Sequence, residues 1–425
     1  MKRFLIGLVL GVLALAALVW FLNVRGEDRI HDVPPPEAPI AQQVARGAYL
    51  ARVGNCAGCH TDRGGAAYAG GRGIETPFGV VYSSNLTSDQ ASGIGGWSAD
   101  QFWRALHNGR SRDGRLLYPA FPYPNYTIVT RADSDALFDF LRSQPAVLQA
   151  NKTHGVSWPF NTQAALAVWR ALYFRPGSYV DNARQSADWN RGAYLVDGLA
   201  HCSACHNQRN ALGASANMLD LSGGLIPMQN WYAPALTTPA EAGVADWQLE
   251  QVVRVMQTGV SPRGSVLGPM ADVVLNSTQH WSADDLRAMA VFLKALPQTV
   301  PPPARKEAVA VGSSVALRGA RLYEDHCVKC HGDQGQGVAG AYPALAGNRA
   351  VLMKETANLV QIVLNGGFAP ATAGNPRPYG MPPYVLLLSD ADVAAVLTHI
   401  RTAWGNGAPL VSELDVSRQR SSGSQ

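Results

Sequence analysis

The chain has 425 residues, of which 47% are hydrophobic and only 16% charged, with a formal net charge of +4. That length allows two to four domains with real apolar cores, so a disordered chain is excluded. No basic block occurs, which sets nucleic acid aside as a partner, and 42 glycines with 27 prolines point to compact units rich in loops.

At the N-terminus, Lys2 and Arg3 precede an uncharged run from Phe4 to Val24. A helix needs about 20 apolar residues to cross a bilayer, so this run can span. Lys2 and Arg3 then stay cytoplasmic, and Trp20 suits the far interface. Residues 1–26 therefore read as a signal anchor. A cleaved signal peptide is the rival reading, but the run is long and no small-x-small site closes it. Either way the remainder is exported.

Next comes a unit that recurs three times. Its first block reads Arg46-Gly-Ala-Tyr-Leu followed by Cys56-Ala-Gly-Cys59-His60, then Arg191-Gly-Ala-Tyr-Leu with Cys202-Ser-Ala-Cys205-His206, then Arg318-Gly-Ala-Arg-Leu with Cys327-Val-Lys-Cys330-His331. All six cysteines fall in these pairs, so none is left for a disulfide elsewhere. In the second block, Phe102 and Leu106 lead to Gly109, Val252 and Met256 to Gly259, and Leu359 and Val363 to Gly366. The spacing predicts one apolar helix face ending at a left-handed glycine. A third block repeats at i, i+3, i+4 and i+7 through Leu286 to Leu293 and Val393 to Ile400, with Leu137, Phe138 and Leu141 as the shorter counterpart. Thr130, Ser282 and Ser389 cap these helices, each with an aspartate three residues on.

No alternating strand pattern is visible, so the fold class is all-α: three tandem helical domains behind a transmembrane helix. Their bounds are 41–150, 188–297 and 313–405. A poorly patterned stretch containing Pro159, Pro176 and Gly177 separates the first two. A proline-rich linker, 298–312, precedes the third, and a polar, disordered tail, 406–425, ends the chain.

The Cys-x-x-Cys-His turn carries the chemistry. Thiols at i and i+3 share one side of a helical turn and can add to the two vinyl groups of one haem, and the adjacent histidine can reach its iron. Three motifs imply three covalently bound haems c, attached through Cys56, Cys59, Cys202, Cys205, Cys327 and Cys330, with His60, His206 and His331 as proximal ligands. Zinc sites use four ligands and cannot divide three motifs evenly or explain the repeated histidine. A thioredoxin-type motif needs an α/β context.

A thioether opposite the histidine raises the potential and closes the iron. Met270 in Leu267-Gly-Pro-Met270-Ala and Met381 in Tyr379-Gly-Met381-Pro-Pro-Tyr occupy matching loops and are the expected sixth ligands; Met256 and Met289 read as core. The first unit has Tyr118-Pro-Ala-Phe121-Pro-Tyr123 in that slot, and phenylalanine cannot ligate iron. His107, placed at the surface on the second helix, and His154 are the local imidazoles; a water-bound or open iron are the other outcomes. Gly335, Gly337 and Gly340 match a dinucleotide fingerprint but follow no strand, so they read as loop glycines.

With these motifs the sequence resembles the triheme cytochrome c subunits of bacterial membrane-bound alcohol, gluconate, sorbitol and aldehyde dehydrogenases. The resemblance rests on Gly70-Gly-Arg, Thr76-Pro-Phe-Gly79, Ser84-Asn-Leu-Thr87, Gly93-Ile-Gly95 with Trp97, Leu117-Tyr-Pro-Ala120 and the two methionine loops, over residues 44–404. It implies three class I cytochrome c domains at the periplasmic face of the inner membrane. It also implies a separate catalytic dehydrogenase subunit as electron donor, and ubiquinone, a soluble cytochrome or a terminal oxidase as acceptor. The family pattern has methionine where Phe121 stands. The chain itself is then no enzyme. An anchored carrier between a quinol-oxidising complex and an oxidase, or a haem enzyme using an open first haem, are the alternatives.

Overall fold

The computed structural model describes residues 1–30, 41–215, 220–299 and 313–422; most of the expected linker, 298–312, lies outside these. The chain divides into two compact units. One comprises residues 1–185, 193–204 and 209–220, the other 186–192, 205–208 and 221–425.

In the first unit, α1 (Lys2–Val24) is the one helix among the described residues long and apolar enough to cross a membrane. Then come α2 (Ala41–Val53), the short α3 (Cys56–His60), α4 (Ala99–Asn108), α5 (Tyr123–Tyr126), α6 (Arg131–Arg142) and α7 (Gln163–Tyr173). The apolar faces of α2, α4 and α6 form the core: Leu50, Val53, Phe102, Leu106, Leu137, Phe138 and Leu141 are all buried. α2 crosses α6 so closely that a Cβ on Gly47 would fall 1.9 Å from the Ala136 carbonyl oxygen. Beside that crossing, Arg46 Nε donates to Asp133 at 2.9 Å. α4 ends at Gly109 with φ 59°, as the apolar spacing requires.

The scheme recurs twice further along the chain. Helix α8 (Ala187–Ala193) continues as a π-helical segment, Tyr194–Leu199, into the second motif, and is followed by α9 (Leu249–Thr258), α10 (Pro269–Asn276) and α11 (Ala283–Lys294). The third copy has α12 (Ser314–His326), α13 (Val328–His331), α14 (Arg349–Leu352), α15 (Ala357–Asn365) and α16 (Asp390–Thr402). Gly192 packs on the Ala288 carbonyl and Gly319 on that of Ala395. Arg191 forks onto Asp285, and Arg318 Nε donates to Asp392 at 2.8 Å. In all three copies the arginine–glycine pair of the first block is thus a helix-crossing device. Glycine permits close approach, and arginine binds the aspartate that the cap of the facing helix exposes.

The fold is largely helical but not free of strands. β1 (Gly73–Thr76), β2 (Gly79–Tyr82) and β3 (Gly155–Val156) form one antiparallel sheet, with Gly73 opposite Tyr82. β4 (Gly224–Ile226) pairs with β5 (Trp231–Ala233), β6 (Val260–Ser261) with β7 (Gly264–Ser265), and β8 (Gly367–Phe368) with β9 (Gly380–Met381). At two to four residues each, these strands are too short to show a period of two.

Two further expectations change. The unpatterned stretch between the first two motifs contains α7. The polar tail is not free chain: Glu413–Ser422 forms a helix, α17, which buries Val416 completely in the core around Leu397 and Ile400. Its Arg420 donates to Asp390 and to the Val385 and Leu388 carbonyls. A single apolar contact in a charged segment leaves little periodicity to read.

Candidate functional site

The first motif begins at Asn55, whose left-handed backbone (φ 48°) starts α3 and puts Cys56 and Cys59 on one side of the turn. His60 Nδ1 donates to the Ser84 carbonyl at 2.8 Å. Ser84 lies two residues after the end of β2, and its neighbour Asn85 pins the loop. That buried amide donates to the Val147 carbonyl at 2.8 Å and accepts from the Thr87 backbone at 2.9 Å. The Ser84-Asn-Leu-Thr87 sequence therefore positions the imidazole.

The other motifs find equivalent acceptors. His206 Nδ1 donates to the Pro234 carbonyl at 2.7 Å, immediately after β5, and His331 Nδ1 to that of Pro343 at 3.0 Å, beside the Val338–Tyr342 bridge. The acceptors lie 24, 28 and 12 residues beyond their histidines, so spacing does not reveal them. Two of them, Pro234 and Pro343, are prolines. The strands missed by pattern reading are what put the first two carbonyls in place.

With Nδ1 donating, Nε2 is left as the free lone pair, the tautomer an iron ligand needs. Burial holds all three imidazoles below the ordinary histidine range and so keeps them neutral, against a smaller opposing effect of the backbone carbonyl.

No disulfide joins the six cysteines. Burial, helped by the neighbouring thiol, pushes Cys56 up to about 12 and Cys327 up to about 11; burial also raises Cys59. Such surroundings disfavour the thiolates a zinc site requires and suit neutral thioethers. Among the described residues no group of three histidine, cysteine or acidic side chains converges as a metal cage. The donor set fits haem.

Met381 lies in β9, paired with Gly367. Gly366 (φ 64°) lets the Met381 carbonyl come within 2.3 Å of where a Cβ would sit. Tyr384 ties this loop to the motif by donating to the His326 carbonyl at 2.9 Å. Met270 is the second residue of α10, whose cap Gly268 (φ 56°) has its bare α carbon under the Trp231 indole. Met289 is fully buried and Met256 packs against the core, as expected.

In the first unit the Phe121 ring packs 5.3 Å from that of Tyr126. Burial, then Cys56 and Cys59, hold the Tyr126 phenol well above its usual range. Phe121 presents no donor atom. His107 is not a surface residue: it is buried and stacks on Trp103 at 4.3 Å. His154 is engaged through Nδ1, which accepts from the Tyr82 backbone at 3.1 Å, and meets Tyr118 edge-on. Gly335, Gly337 and Gly340 are left-handed loop glycines after the third motif, not a nucleotide turn.

Helical units carrying Cys-x-x-Cys-His turns with carbonyl-fixed imidazoles define a c-type cytochrome. The cytochrome c family model matches residues 44–145 and 316–404. The chain is 37% identical over 405 residues to the cytochrome c subunit of the quinone-dependent alcohol dehydrogenase of Gluconacetobacter polyoxogenes, covering 91% of this chain and 86% of that one. It is 35% identical to the gluconate 2-dehydrogenase cytochrome c subunit of Pantoea cypripedii, covering 99% and 95%, and 32% identical to the fructose dehydrogenase cytochrome subunit of Gluconobacter japonicus, covering 95% and 87%. The chain belongs to this family of dehydrogenase cytochrome c subunits. Its role is electron transfer through covalently bound haem c, not catalysis of the dehydrogenation.

Proposed function

We propose that the chain carries three haems c, one in each of three cytochrome c domains at 41–150, 188–297 and 313–405. It passes electrons from a separate catalytic dehydrogenase subunit to ubiquinone, a soluble cytochrome or a terminal oxidase. Bound haem supplies one-electron chemistry at its iron. The protein's part is to hold each centre through two thioethers, to fix the proximal imidazole of His60, His206 or His331 by a carbonyl at Nδ1, and to set the opposite face. Met270 and Met381 close that face by ligation in the second and third domains. Phe121 leaves the first without a thioether, which lowers its potential relative to a methionine-ligated centre.

The chain sits at the periplasmic face of the inner membrane, with α1 retained as an anchor. Retention is supported by Asn23 in the last turn of α1, which is buried and bonded to Arg170 of α7. A cleaved leader has no reason to supply a partner for a buried arginine of the mature domain.

The observation that carries the reading is the threefold recurrence of a histidine with Nδ1 on a carbonyl beside a Cys-x-x-Cys turn. The test is haem stoichiometry and donor specificity. The purified chain should yield three haems per polypeptide that stay with the protein in acid–acetone. A copurifying dehydrogenase with its substrate should reduce all three. Fewer haems per chain, or failure of any such subunit to reduce them, contradicts the reading.

A further inference from the structure

Helix α7 lies where α1 meets the folded domain. Only the last turn of α1 is engaged. Asn23 Nδ2 donates to the Ala167 carbonyl at 2.8 Å, and Asn23 Oδ1 accepts from Arg170 Nε at 2.9 Å. Arg170, the only charged residue of α7, is turned fully inward, where it also donates to the Asn108 carbonyl and lies over the rings of Tyr123 and Phe174. With its charge spent inside, α7 is left apolar on both faces. Leu166 and Ala171 pack into the domain, while Val168 and Leu172 are about half exposed. Trp158 and Phe160, just before the helix, and Leu212 beside Trp169 extend that outer surface. No aspartate or glutamate occurs between Lys152 and Asp181, and Arg175 follows the helix, exposed.

We infer that the outer face of α7, with Trp158 and Phe160, lies in the periplasmic interface of the lipid bilayer as a second membrane contact. The inference rests on the reading of α1 as a retained anchor. If α1 spans, its final turn leaves the hydrocarbon where Asn23 is tied to α7, so α7 is held at headgroup depth. Its surface matches that place: aliphatic side chains to face the acyl boundary, a tryptophan, no acid, and an arginine to reach the headgroups. The contact would fix the tilt of the first haem domain at the membrane, which one flexible anchor cannot do.

The test uses the full haem-loaded chain in phosphatidylethanolamine–phosphatidylglycerol vesicles. Native cysteines are consumed by haem attachment, so Leu15→Cys, Val168→Cys or Leu172→Cys each adds one thiol for a benzophenone maleimide. The replaced side chains are exposed, and the haem spectrum should not change. On illumination, phospholipid adducts at all three positions are expected. Lipid adducts at position 15 with none at 168 and 172 would overturn the inference and leave the anchor standing. Cross-links from 168 and 172 to polypeptide would overturn it in favour of a protein partner. No lipid adduct at position 15 would remove the anchor reading and this inference with it.

Discussion

Arg191 grips Asp285 with both arms of its guanidinium, Nε to one carboxylate oxygen at 2.7 Å and Nη2 to the other at 2.8 Å. Asp285 also stands three residues after the cap Ser282 and gives its backbone N–H to it. One aspartate thus serves the start of α11 and the crossing with the helix that leads into the second haem motif.

Replacing Asp285 by alanine removes a bidentate bond next to a backbone contact that tolerates no slippage at Gly192. The expected loss is about 1–3 kcal/mol. Arg191→Lys should recover only part of it, since an ammonium cannot fork. Guanidinium unfolding followed by the haem Soret band measures both.

The third copy gives a pH signature. Asp392 is held below the ordinary carboxylate range, first by the Ser389 hydroxyl, with Arg318 contributing. A folded-state value lying below the unfolded one means its stabilisation is complete above about pH 4 and is lost as pH falls through the lower folded value. The stability difference between the native chain and Asp392→Asn should therefore be constant near neutrality and shrink below pH 4, as read by thermal melts across that window.

Phe121→Met restores a sulfur donor in a loop that already lies beside Tyr126. The ferric spectrum should gain intensity in the long-wavelength sulfur-to-iron charge-transfer band, and one haem should titrate at a higher potential. Met381→Ala should do the reverse at a different haem. Spectroelectrochemical titration separates the two; an unchanged band in Phe121→Met would mean the slot is not aimed at the iron.

Asn23→Leu keeps α1 apolar but leaves the buried guanidinium of Arg170 one partner short. A loss of about 1–3 kcal/mol from the first unit is expected, with membrane attachment unaffected. Calorimetry in detergent, together with the membrane-bound fraction, checks both halves.

Val416→Ala should cost about 1–3 kcal/mol, because α17 closes the third core with that one fully buried side chain. A chemical denaturation curve for the variant measures it; no change would mean α17 is dispensable.

What the sequence revealed was what local chemistry dictates. The haem turns, the helix faces ending at Gly109 and Gly259, and the caps at Thr130, Ser282 and Ser389 follow from residue type and spacing. Hidden were features built from main-chain atoms or a single contact. Ser84, Pro234 and Pro343 act through their carbonyls, which every residue possesses. The short strands that aim two of them follow turn geometry, not periodicity. α7 shows little polar–apolar contrast because its lone arginine is committed to Asn23 and Asn108, a pairing visible only once the fold brings distant segments together.

Because all three histidines lean on peptide oxygens, none of those acceptors can be swapped for a stronger or weaker base by exchanging a side chain. On the proposed three-haem reading, the proximal side would then be alike in each centre. A gradient of driving force would come from porphyrin burial and from the residue proposed for the other face, Met270, Met381 or Phe121.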